Sequence, residues 1–357
     1  MSIPHAGAPR RATISDVARE AGTGKTSISR YLNGELSVLS PDLRARIEAA
    51  IKQLDYQPNQ MARGLKRGRN RLIGMLVADL TNPYSVEVLQ GVEAACQALG
   101  YMPLICHAAN EVEMERRYLQ LLSTYRVEGV IVNAIGVREE TLRPVGEGGI
   151  PAVLVDRRVD GLIADMVGLD NAAAVELGMH HLLEQGFGDI WFVVQPFERV
   201  SSRRLREAAF REAMSGAAQA RSRTVVLDLA DPAVLDGTLA GLDLALDKAL
   251  DNALDSALAA SHERRIALFA ANAPVALCLA RHLNHRYGAG WQARIALISI
   301  DDPEWAELTG VTTIRQPTFQ IGYRAVEFLH ERIDGGEAAA RDCLLPGELI
   351  VRASTSR

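Results

Sequence analysis

Residues 13–33 read TISDVAREAGTGKTSISRYLN. Ile14, Val17, Ala18 and Ala21 fall at helical spacing, Thr13 or Ser15 can cap the start, and Gly22 supplies a stop. After Gly22-Thr23-Gly24 a second short helix is expected from Lys25 to Leu32, with Ile28 and Leu32 inward and Asn33-Gly34 ending it. Two short helices across a glycine turn make a helix-turn-helix. A third helix, Pro41 to Leu54, has Ser40 as cap and Pro41 at its first position, and offers Leu43, Ile47, Ala50, Ile51 and Leu54 as a stripe to cover the other two. On the second helix, Lys25, Thr26 and Ser29 lie on the outward side near the N-terminus, with Arg30 a turn further on. Such donors and small side chains suit base edges in a major groove; spacing alone also allows an ordinary solvated face. Gly24-Lys25-Thr26 imitates the end of a phosphate-binding loop, but that motif needs a glycine where Arg19 stands and a strand upstream of it.

Charge points the same way. Of the 357 residues, with a net charge of -5, the first 70 hold twelve Lys/Arg against six Asp/Glu, so +6 there leaves -11 for the rest. The N-terminal segment is therefore the part that would seek a polyanion. Four widely spaced cysteines, Cys96, Cys106, Cys278 and Cys343, include no C-x-x-C pair and read as packing residues rather than disulfides or zinc ligands. No apolar leader core follows Arg10-Arg11 and no run approaches a membrane span, so the expectation is a cytoplasmic protein.

Residues 56–69, YQPNQMARGLKRGR, combine a helix-start signal at Pro58-Asn59 with a basic tether. On composition they are a linker. Beyond Leu72 the texture changes to alternating strands and helices: strands 72–79, 102–106, 129–133, 152–156, 190–194, 224–227, 266–270 and 295–300, helices 82–100, 111–125, 171–185, 202–214 and 320–334, and a terminal strand at Leu349-Ile-Val. That alternation predicts doubly wound parallel sheets in two successive units. Residues 239–259, LAGLDLALDKALDNALDSALA, repeat leucine every four residues beside aspartate, the pattern of an amphipathic helix; both a core-facing and a partner-binding role fit it. Open α/β sheets bind ligands beyond the carboxyl ends of their strands. The candidates there are Asp79, Asp156 with Arg157 and Arg158, Asn272 and Asp301. Arg157, Arg158, Arg203 and Arg206 are expected to cluster, and arginine forks recognise carboxylates.

The stretch from Thr13 to Asn33 resembles the DNA-binding signature of the lactose-repressor/galactose-repressor (LacI/GalR) family, with Asp-Val-Ala, Ala-Gly, Ser-Arg and Leu-Asn at the family's spacing. It departs at Thr23-Gly24, where the family usually has Val-Ser. The resemblance implies a small all-α helix-turn-helix domain (1–58), a hinge helix and linker (59–71), and an effector-binding and dimerisation domain (72–357). The last would be an α/β periplasmic-binding-protein-like fold of two doubly wound parallel-sheet subdomains. It implies that Lys25, Thr26 and Arg30 read bases, that Ser27 and Ser29 lie nearer phosphates, and that Thr13 and Asn33 belong to the same DNA-binding set. Asn59 to Leu65 looks like the family's hinge helix: Leu65 would wedge into the minor groove, Ala62 face its twin, and Arg63 and Lys66 sit near phosphates. A helix of about six residues is too short to hold alone, so the implied hinge folds when two copies pair over DNA. In the effector domain the resemblance adds Ser202 and Arg206 from the stretch VSSRRLR, Asn272 and Asp301 by motif, and Gln316. Asn272 is followed by Ala273, where the family has aspartate. The runs RGLKRGR and Asn-Pro-Tyr84, with Ser-Ser-Arg203, are similar to the branch that answers to sugar acids such as 2-ketogluconate.

The resulting expectation is a repressor of the homodimeric kind, without the leucine-rich tail of tetrameric relatives. It would bind a palindromic DNA operator and answer to a sugar or sugar-acid effector, with no metal or cofactor. Regulators of neutral-sugar or nucleoside catabolism, or a carbohydrate-binding module, stand as alternatives. A transport protein has no use for residues 13–65. For an enzyme there is no G-x-S-x-G, and His180-His181, about 100° apart on a helix, cannot chelate from one face.

Overall fold

The computed structural model describes residues 12–57, 69–133, 149–159, 161–198, 200–217, 220–258 and 265–356. The chain divides into two compact units, residues 1–70 and 71–357. The hinge residues Asn59, Ala62, Arg63, Leu65 and Lys66 lie outside the described residues.

In the first unit, α1 (Ile14–Glu20) opens with a reciprocal cap: Thr13 accepts from the Asp16 amide and Asp16 accepts from the Thr13 amide. Helix α2 (Lys25–Leu32) follows Gly24, an extended N-cap without a side-chain hydrogen bond. Helix α3 (Pro41–Gln53) starts from Ser40, whose hydroxyl accepts from Leu43 N. Val17, Ala18, Ala21, Ile28, Leu39, Ile47 and Ala50 form the core. Gly22 turns the chain with φ +59°, a region that glycine enters without strain.

The second unit carries two six-stranded sheets. The first contains β1 (Leu72–Val77), β2 (Met102–His107), β3 (Gly129–Asn133), β4 (Ala152–Val155), β5 (Asp165–Leu169) and β11 (Asp342–Leu345), in the order β11-β5-β4-β3-β1-β2 and parallel throughout. The second contains β6 (Phe187–Val194), β7 (Arg221–Val226), β8 (Arg265–Ala270), β9 (Ile295–Ile300), β10 (Thr312–Arg315) and β12 (Glu348–Ile350), in the order β12-β10-β9-β8-β6-β7. Only β12 breaks the parallel pattern, pairing antiparallel to β10. The helices that matter below are α4 (Pro83–Leu99), α5 (Val112–Thr124), α6 (Asn171–Glu184), α7 (Ser201–Ser215), α8 (Pro232–Leu258), α9 (Ala273–Tyr287), α10 (Glu304–Thr309) and α11 (Thr318–Ile333). Apolar clusters lie on both faces of each sheet, so the strands are near-continuous apolar runs.

The two units in succession expected from sequence need correction. The chain leaves the first sheet after β5, returns to it through α11 and β11, and leaves again for β12. The return is made possible by two glycines. A Cβ on Gly91 of α4 would stand 2.0 Å from the Phe319 carbonyl oxygen, and one on Gly322 of α11 would stand 2.0 Å from that of Val88. Strands β5, β10 and β11 and helices α9 and α10 were not anticipated.

The leucine-aspartate helix is core-facing. Leu242 and Leu246 are buried, Leu235, Leu239 and Leu250 pack on the same cluster, and Asp243 and Asp247 pair with His282 and Arg286 of α9. It begins at Pro232, earlier than the leucine repeat suggested. Cys96 and Cys106 are buried, and all four cysteines are free. His181 is buried against the Thr355 hydroxyl at 2.7 Å, and His180 faces Glu184 on the surface. Among the described residues no helix is long and apolar enough to cross a membrane.

Candidate functional site

The first unit presents α2 as a polar face. Lys25, Thr26 and Arg30 are exposed, Ser27 and Ser29 half-buried, and Ile28 is fully buried beneath them. The structure thus brings these five onto one helix, while Thr13 and Asn33 occupy cap positions: Thr13 is committed to Asp16, and Asn33 closes α2. Gly24 is the N-cap, preceded by a helix and turn rather than a strand, so the phosphate-loop imitation has no substance. Sequence reading missed Arg46. From α3 it donates to the Ala21 carbonyl through Nε and Nη2, and to that of Gly22, filling the open end of α1 and fixing the turn that aims α2.

In the second unit, the carboxyl ends of strands from both sheets converge on one polar cluster. Asp156 follows β4 and Asp301 follows β9; both hold left-handed backbone, φ +66° and +77°, which non-glycine residues adopt seldom and mostly at functional sites. Arg206, on α7, is buried. Its Nε donates to Asn171 Oδ1 at 2.6 Å, its Nη1 to the Ala271 carbonyl at 2.7 Å, and its Nη2 stands 3.9 Å from Asp156 Oδ1. The Ser202 hydroxyl donates to Asp156 Oδ2 at 3.1 Å, across from one subdomain to the other. Asp301 accepts from Ala273 N at 2.9 Å and from Gln316 Nε2 at 2.5 Å.

What these bonds leave over is informative. Among the buried side-chain atoms without a hydrogen-bond partner are Tyr84 Oη, Asp156 Oδ1, Arg157 Nε and Nη1, and Gln316 Oε1. Arg157 Nε lies 3.6 Å from Asp156 Oδ2, an ion pair beyond hydrogen-bonding reach. Leaving such atoms buried and unpaired costs about 1–3 kcal/mol each, so their convergence marks a place shaped for a polar ligand.

Burial works against charge here. It pushes the Arg203 guanidinium down to about 10, with the neighbouring Arg157 cation adding to the effect. It lifts the Asp301 carboxyl above the usual range despite Arg206 beside it. The Tyr84 phenol is raised well above its ordinary value by burial and then by the Asp156 charge, so it stays a neutral hydroxyl. Three guanidiniums, Arg157, Arg203 and Arg206, therefore share the site with Asp156 and with Asp301, the latter weakened as an anion, while Asp228 also acts on Arg203.

Tyr84, Asp156, Arg157, Ser202, Arg203, Arg206, Asp301 and Gln316 are thus gathered. Two expected members serve elsewhere. Asp79 accepts from the amide and hydroxyl of Thr81 and stabilises a turn. Asn272 caps α9 through Oδ1 and donates to Gln195 through Nδ2, at the cluster's edge. Arg158 leaves the expected arginine cluster: its guanidinium pairs with Asp342 at 2.6 Å, 52% exposed, and only its amide turns inward to Ser201 Oγ. Asn171, the partner of Arg206, was missed because β5 just ahead of it was missed; a strand at 165–169 would have marked it as a strand-end residue.

Family comparisons agree with this architecture. Residues 13–59 match the bacterial regulatory proteins, lacI family; residues 70–240 match the periplasmic binding proteins and sugar binding domain of the LacI family; and residues 179–355 match a periplasmic binding protein-like domain. A helix-turn-helix unit joined to a two-subdomain α/β cleft domain is the plan of a ligand-responsive regulator of transcription. The chain belongs to the LacI family of bacterial regulatory proteins. It is 43% identical over 347 residues to the HTH-type transcriptional regulator PtxS of Pseudomonas aeruginosa, spanning 97% of this chain and 96% of the relative. It is 33% identical over 345 residues to the HTH-type transcriptional regulator KdgR of Bacillus subtilis, spanning 96% and 97%. Among solved structures, the lac repressor dimer bound to operator and an anti-inducer shares the fold with TM-score 0.78 at 22% identity, over 98% of this chain and 100% of that one.

Proposed function

We propose that this regulator binds a palindromic operator as a homodimer and that a sugar acid in the cleft sets its operator affinity. Two α2 helices would enter successive major grooves. Lys25, Thr26 and Arg30 would meet base edges, Ser27 and Ser29 phosphates, and the hinge residues around Leu65 the minor groove between them. The effector reading is carried by one observation, the Arg157 guanidinium. Its Nε and Nη1 are buried without hydrogen-bond partners, and Arg203 and Arg206 are gathered beside it. These two donors leave the guanidinium from opposite edges, so a carboxylate oxygen of the ligand accepts from one and a second ligand oxygen from the other, and the carboxylate brings a negative charge to the cation. A neutral sugar would bring no charge to the Arg157 guanidinium. Gluconate and 2-ketogluconate are the ligands of this chemistry that fit the resemblance best.

Effector and DNA are then linked by their differing preference for the open and closed cleft, and each must alter the other's affinity by the same factor. Isothermal titration of the full chain with gluconate, 2-ketogluconate, 2-keto-3-deoxygluconate and neutral hexoses tests the reading. Saturable binding of one or more acids is expected; tight binding of a neutral sugar alone would overturn it.

A further inference from the structure

The cleft does not end at the polar cluster. Tyr84, Asp301 and Gln316 also line a cavity of about 280 Å³ between α4 and the segments following β9 and β10. Its charge is opposite to that of the arginine end. Glu87, Asp302, Glu304 and Glu307 line it against Arg315 and Arg352. Both arginines are already engaged. Arg315 meets Asp302 at 2.7 Å and Glu348 at 3.4 Å, and Arg352 meets Asp302 at 2.7 Å. Among the described residues lining this wall no cation is left without a carboxylate partner, while Glu304 and Glu307 stand exposed at its rim. Between the two ends, Gln316 offers an acceptor: one N–H of its amide goes to Asp301, which orients the group, and its Oε1 is buried without a donor. A hydroxyl satisfies that atom; a carboxylate or phosphate oxygen sets lone pair against lone pair.

We infer that the cleft selects effectors charged at one end only. Aldonate and 2-ketoaldonate monoanions enter with the carboxylate on Arg157 and hydroxyls on Gln316 and Tyr84; aldarates, with a carboxylate at each end, and sugar acids phosphorylated at the far end are turned away by Glu87, Glu304 and Glu307. The inference rests on the sugar-acid reading above and narrows it.

Titration of the full chain with gluconate, 2-ketogluconate, glucarate and 6-phosphogluconate, at low and high salt, tests it. Gluconate and 2-ketogluconate should bind about tenfold or more tightly than glucarate and 6-phosphogluconate, and the gap should narrow as salt screens the rim. Glu304→Gln/Glu307→Gln, at exposed positions, should strengthen glucarate and 6-phosphogluconate binding about threefold or more at low salt and leave gluconate within about twofold. Wild-type binding of glucarate or 6-phosphogluconate as tightly as gluconate overturns the inference, as does discrimination that neither salt nor the double variant moves. Failure of gluconate and 2-ketogluconate to bind at all instead overturns the sugar-acid reading itself.

Discussion

Replacing Arg157 by methionine should move two measurements in opposite directions. In the free protein its Nε and Nη1 are buried without acceptors, a burden of about 1–3 kcal/mol for each such atom, and its ion pair with Asp156 is 3.6 Å long. Methionine fills similar length without polar atoms, and Asp156 keeps Ser202 and Arg206 as partners. The free variant should therefore melt at the same temperature as the wild type or a few degrees higher. With the effector the sign reverses. Two charge-assisted hydrogen bonds are worth about 1.5–3 kcal/mol each, and after part of that is offset by easier desolvation the loss in affinity should be roughly 100-fold. Differential scanning fluorimetry with and without gluconate or 2-ketogluconate reads both quantities. A variant that melts several degrees lower and binds the acid as well as the wild type would refute the argument, making Arg157 a structural residue.

Other outcomes follow from the same structure. Gly322→Ala forces a Cβ to within 2.0 Å of the Val88 carbonyl and should cost more than about 3 kcal/mol in urea unfolding, whereas Gly237→Ala, with open space around its Cβ inside α8, should gain about 0.5–1 kcal/mol. Asp165 is fully buried, and although burial alone would raise its carboxyl, hydrogen bonds from Arg332 and Arg341 prevail and hold it at about 2. Its folded value lies below the unfolded one, so a stabilisation on the order of 2 kcal/mol is present above about pH 4 and is lost as pH falls toward 2. The stability gap between wild type and Asp165→Asn should shrink over that window. Leu65→Ser should weaken specific operator binding about tenfold or more without altering effector titration, and unchanged operator affinity would make the stretch a plain linker.

Local signals were legible wherever the chain states its own boundary. Thr13, Ser40 and Asn82 announced helix starts, Gly100 a stop, and the apolar runs at 72–77 and 295–300 buried strands. What sequence could not show depends on distant partners. The strand Asp165–Leu169 opens on an aspartate and contains a glycine, and it reads as a loop until Arg332 and Arg341 arrive to satisfy the acid. Arg157 and Arg158 are adjacent and alike in sequence, yet only the first turns into the cleft, because Asp342 of β11 draws the second outward. Strand-end position pointed equally to Asp156, Asp301, Asp79 and Asn272; the structure gathers the first two in the polar cluster, while Asp79 holds the Thr81 turn and Asn272 caps α9 at the cluster's edge, a difference that position alone does not show.

The account stands most directly on whether a sugar acid moves operator affinity. Fluorescence anisotropy of a labelled palindromic duplex, titrated with the full chain at fixed salt, should give an operator Kd that changes at least about fivefold on saturating gluconate or 2-ketogluconate, and not at all on neutral hexoses. An operator Kd unmoved by either acid, or moved only by a neutral sugar, would contradict it.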